Sequence, residues 1–153
     1  MQFTYPDIKR AITSRCTVLE PAITHLELEW HPDPPGPYTL VGQVLVPFID
    51  LLLERPKSDG RDSALLHGFA LVEDFLGELD PEIANMIYVE LLEWRRATWY
   101  ERAVPFLGIR ALSALDEYDE GWRTRKDKDD DHVELGAPHG VITAVDELLR
   151  ART

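Results

Sequence analysis

The sequence predicts an all-α, single-domain helical bundle, on three observations. After residue 37 the apolar residues recur at three- and four-residue spacing, the helical period. Start signals, above all Asp80-Pro81-Glu82, cut that pattern into segments of ordinary globular length. The 153 residues, 44% apolar and 29% charged, fit one domain with a core of its own. The expectation is about five to six helices around a central antiparallel hairpin, residues 1–153 forming one unit.

The first helix is expected from Pro6-Asp7 to about Cys16. Residues 24–30 (THLELEW) alternate Leu26, Leu28 and Trp30 with His25, Glu27 and Glu29, the period of a half-buried strand. Its partner in a small N-terminal β-hairpin can only be residues 16–19. Residues 31–37 (HPDPPGP) hold four prolines and break regular structure, closing an N-terminal segment over 1–36. Leu40, Val44, Phe48 and Leu51 then mark a helix opened by Pro37 and kinked by Pro47.

Asp62 is the candidate N-cap of the next helix, with Leu65, Phe69, Val72, Leu76 and Leu79 along it. Asp80 caps the one after, whose stripe is Ile83, Ile87, Leu91 and Trp94. Almost nothing joins these two helices, which makes them the hairpin. A further helical stretch over 97–118 is interrupted at Pro105 and Gly108. Residues 123–140, mixed in charge and ending in Gly136, Pro138 and Gly140, read as an exposed loop. A terminal helix over 141–152 docks through Val141, Val145, Leu148 and Leu149.

Charge narrows the function classes. With 16 Lys+Arg and 28 Asp+Glu the net charge is −12. Nucleic acid and anionic membrane are poor partners for such a chain, because both are held by clustered basic residues. The apolar stretch 38–53 contains Gln43, Pro47 and Asp50 and falls short of the ~20 apolar residues of a membrane span. Residues 1–15 lack the order of a signal peptide, and Cys16 is the single cysteine, so a cytoplasmic protein is expected.

The charge is unevenly placed. Residues 62–94 contain no Lys or Arg and eight acids: Asp62, Glu73, Asp74, Glu78, Asp80, Glu82, Glu90 and Glu93, or −8 of the −12. Either this is a solubilising surface or it is a docking face for a cationic partner. Asp116, Glu117, Asp119 and Glu120 lie at the unfavourable end of a helix, where an extension of the same face is expected. Glu90 falls on the apolar stripe, where a salt bridge to Arg110 would satisfy it, or where it would converge with Glu73 as a carboxylate pair.

The histidines His25, His31, His67, His132 and His139 show no metal-ligand spacing, so no metal is expected; nor is a cofactor, since phosphate-loop and nucleophile motifs do not occur. The aromatic and basic run 94–100 (WRRATWY) fits helix-end packing in so acidic a protein.

The run HGFALVEDFLGELDPEIANMIYVELLEW, followed by VPFLGIRA, resembles a family of small bacterial all-helical proteins similar in kind to the immunity proteins of polymorphic-toxin systems. The matching positions are Phe69, Glu73, Asn85, Leu91, Leu92, Glu93, Pro105, Leu107 and Gly108. The resemblance implies an all-helical fold and an immunity role, and carries over no catalytic residue. The leading expectation is a protein that binds the basic surface of a cognate toxin through Glu73, Asp74, Glu78, Asp80, Glu82, Glu90, Glu93, Asp116, Glu117, Asp119 and Glu120. Tyr88, Trp99 or Tyr100 would serve as aromatic anchors if exposed. The alternatives are a small enzyme using Glu73 and Glu90, and a helical-repeat-like adaptor.

Overall fold

The computed structural model describes residues 4–78, 80–124 and 137–151. Among these the chain forms eight helices and no strand, so the all-α expectation holds while the count of five to six was low. Leu79 and most of the expected 123–140 loop, including His132 and Glu134, lie outside the described residues; Arg123 and Thr124 belong to a 3-10 turn.

Helix α1, Tyr5–Arg15, is held at its start by Asp7, which accepts from the Thr4 amide at 3.0 Å and the Thr4 hydroxyl at 2.8 Å. A 3-10 turn, Thr17–Leu19, leads into α2, Glu20–Trp30. The expected strand and its hairpin are therefore not formed. Leu19, Ile23 and Leu26 are buried at four- and three-residue spacing, while Leu28 is 68% exposed. The alternation of Leu26, Leu28 and Trp30 was too short to compete with this stripe, and Pro21 suits a first helical turn.

Helix α3, Pro37–Glu54, is the core helix, with Leu40, Val44, Phe48, Ile49 and Leu52 buried. By length and composition it could cross a membrane, yet half of it is buried inside the bundle. Its turn Val41–Leu45 is a wider π turn directly before Pro47. A proline lacks an amide hydrogen and crowds the carbonyl four residues back; the widened turn accommodates that misfit.

Helix α4, Asp59–Leu76, starts four residues earlier than an N-cap at Asp62 implied. Ser58 is its N-cap and accepts from the Arg61 amide at 3.1 Å; Asp62 instead accepts from Lys57 and Arg61. The buried Arg61 donates to the Leu52 carbonyl at 2.8 Å and so closes the end of α3. Helix α5 comprises Pro81–Ile87 and a second π turn, Tyr88–Leu92. Asp80 caps it as expected, accepting from the Glu82 amide at 3.0 Å. Helices α4 and α5 pack against each other.

Helix α6 is Ala97–Ala103, continued by the 3-10 turn Val104–Phe106, and α7 is Ile109–Tyr118; the break falls at Pro105 to Gly108 as read. Helix α8, His139–Ala151, buries Val141, Ala144 and Val145 against α2 and α3. It approaches α2 so closely that a Cβ on Gly140 would stand 3.2 Å from the Ala22 Cα.

Candidate functional site

The acidic residues do not share one face; the fold gives several of them separate work. Glu73 supplies an N-cap in trans. Its Oε2 accepts from the Arg110 amide at 3.0 Å and its Oε1 from the Ala111 amide at 2.9 Å, although these lie 37 and 38 residues away. Gly108 is the N-cap position of α7 and brings no side chain of its own. A Cβ there would lie 2.2 Å from the Glu73 Cδ. Arg110 returns the contact, donating at 3.3 Å to the Glu73 carbonyl and lying over Gly77 at the end of α4. A carboxylate meets the positive end of one helix and a guanidinium the negative end of the other.

This overturns the pairing of Glu90 with Arg110. The π turn at Tyr88–Leu92 carries Glu90 off the stripe to a half-buried position against Gly42, where a Cβ would be 2.7 Å from its Oε2. Glu73 and Glu90 are thus held against different helices, and both oxygens of Glu73 are occupied by amides. Trp94 also leaves the stripe: α5 ends at Leu92, and Trp94 is 74% exposed with φ of 56°.

Asp74 pairs with Arg15 of α1. Asp116 accepts from Arg123 and from the Trp122 indole, and these bonds hold its carboxyl below the usual carboxylate range. Asp119 is buried, 2% exposed, and accepts from the Tyr100 hydroxyl at 2.9 Å. It belongs to the interior and offers no contact surface. Glu78 and Glu93 are half-buried, and Glu82, Glu117 and Glu120 are exposed.

The aromatic and basic run is also structural. Asp50 of α3 accepts from Arg95 at 3.0 Å and from the Trp99 indole at 2.8 Å, while the Arg95 guanidinium lies 4.9 Å from the Trp99 ring centre. Tyr100 is buried, and its hydroxyl accepts from the Arg95 amide at 3.0 Å. Trp99 and Tyr100 therefore bind α6 to the core. None of the three expected anchors is exposed: Tyr100 is buried, Trp99 and Tyr88 are half-buried, and Tyr88 differs in lining an open groove.

That groove, of about 860 Å³, lies between α5 and α7. Tyr88 and Val89 line it from α5, Ile109, Ala114 and Tyr118 from α7, and Leu76 from the end of α4. Val89 is 43%, Tyr118 66% and Ile109 78% exposed. The Tyr88 and Tyr118 rings meet edge to face, 5.5 Å between centres. Glu93 and Glu117 also line the groove, as does Arg110. Sequence reasoning missed Val89, Ile109 and Tyr118. The signal was available: α5 buries Ile83, Met86 and Ile87, and α7 buries Ala111 and Leu115, yet each helix carries a second apolar face.

Among the described residues no group of three or more His, Cys, Asp or Glu could hold a metal ion. No family model, curated protein or solved structure matches this chain.

Proposed function

We propose that this is a cytoplasmic protein-binding domain of the immunity type, which occludes a basic partner, such as a toxin domain, at the groove between α5 and α7. One observation carries the reading: exposed Val89, Ile109 and Tyr118 form an apolar groove that also holds Glu93 and Glu117. Apolar anchors supply affinity at an interface, and complementary charge supplies encounter rate and partner choice. The net charge of −12 supports a cationic protein over nucleic acid or an anionic membrane. The acidic contribution is narrower than the sequence suggested, resting on Glu82, Glu93, Glu117 and Glu120 rather than on the whole hairpin. A carboxylate-pair enzyme draws no support, since Glu73 is spent as a helix cap.

The test is co-expression with the product of the adjacent open reading frame, scored for a purified complex and for rescue of growth. Ile109→Asp and Tyr118→Asp should each weaken that complex at least ~10-fold, the loss typical of a central anchor, with unchanged circular dichroism. A neighbour that is neither bound nor toxic, or binding indifferent to both substitutions, defeats the reading.

A further inference from the structure

The two ends of the groove differ, and the difference specifies what enters it. At one end stand Ile109 and Leu76, beside the cap through which Glu73 and Arg110 join α4 to α7. At the other end the later turns of α5 and α7 meet through Tyr88 and Tyr118, with Glu93 and Glu117 lining the same space. The later turns of both helices carry the negative ends of their dipoles. Aromatic faces, carboxylates and carbonyl ends all favour a cation.

We propose that this tyrosine end is a subsite for one arginine or lysine side chain of a partner helix, whose aliphatic residues rest on Val89 and Ile109. The proposal rests on the groove being the partner site. Ile109 and Glu117 are eight residues apart on α7, about 12 Å along a helix axis, so the basic residue lies roughly two helical turns from the leading aliphatic one. A second copy of this chain is a poor occupant, because it would bring its own Glu93 and Glu117 against these.

The probe is a helix-forming peptide of about 16 residues, long enough to hold helical structure, with leucines on one face and an arginine two turns from the leading leucine. Its twin carries citrulline, the same shape without the charge, in place of that arginine. Titrated into the isotope-labelled full chain, the arginine peptide should move the amide signals of Val89, Ser113 and Glu117. The citrulline peptide should bind about 10-fold more weakly. In the Glu93→Gln, Glu117→Gln double variant that ratio should fall to about 2-fold, and Ile109→Asp should abolish binding of both peptides.

Equal binding of the two peptides, or a ratio that survives in the double variant, overturns the subsite while loss with Ile109→Asp preserves the groove. If neither peptide moves the groove signals, both readings fall. Groove signals that shift with protein concentration alone would make a second copy the occupant and overturn the proposal.

Discussion

Glu73 shows how far a residue's role can lie from its local pattern. On its own helix it is a carboxylate flanking an apolar stripe, one of eight acids in a stretch without cations. Its function depends on Gly108, which presents α7 with an uncapped start in extended backbone. Glu73→Ala should destabilise the fold by about 1 kcal/mol in denaturant unfolding, the ordinary cost of a lost cap. Gly108→Ser should also destabilise, because its Cβ would displace Glu73. Together the sign reverses: in the Glu73→Ala background a serine at 108 has room to cap α7 itself and should restore most of the loss. A double-mutant cycle showing simple additivity would refute this mutual exclusion.

Elements were legible wherever one local signal decided them. Asp80-Pro81 placed the start of α5, and Pro105 to Gly108 placed the break before α7, because those residues act on the backbone of their own turn. Residues 24–30 read as a strand because three alternating apolar residues satisfied period two, while the real stripe begins at Leu19, across the turn from Pro21. The π turns escaped entirely. An extra residue in a turn rotates every later side chain, which is how Glu90 left the apolar stripe.

Docking of α6 likewise depends on a partner far along the chain. Asp50→Ala should cost about 2 kcal/mol, between an exposed pair and a buried one, and should speed amide exchange in Ala97–Ala103 before the rest of the bundle opens. Asp50→Asn keeps an acceptor for the Trp99 indole and should cost less. Equal protection of α6 in all three proteins would show that Asp50 is not its tether.

For the whole molecule, Cys16 is a built-in reporter of opening. It is 6% exposed, and burial pushes its thiol up to about 11. Alkylation at pH 8 should therefore be slow in the folded protein and follow the unfolded fraction as denaturant is added. The same shift sets a pH trend. The unfolded thiol ionises near 9 and the folded one near 11, so this contribution to stability is complete below 9 and lost as pH rises toward 11. Rapid alkylation without denaturant would contradict this burial.

Net charge, by contrast, was legible in amount and not in arrangement. Which acids face outward depends on contacts such as Asp119 with Tyr100, which only the assembled bundle creates. The groove was hidden for the same reason, since its walls are two helices whose second apolar faces become neighbours only on folding.

Helix α7 is pinned at both ends. Glu73 and Arg110 hold its first turn, and Asp119 with Tyr100 and Asp116 with Trp122 hold its last. The α7 wall of the groove is therefore held in place before anything arrives. If the groove is the partner site proposed above, a guest would spend little on ordering that wall, and association should run at the speed of encounter, without a gating step. Preference among guests will then be written in how long each stays, and variants of the lining should sort by residence time.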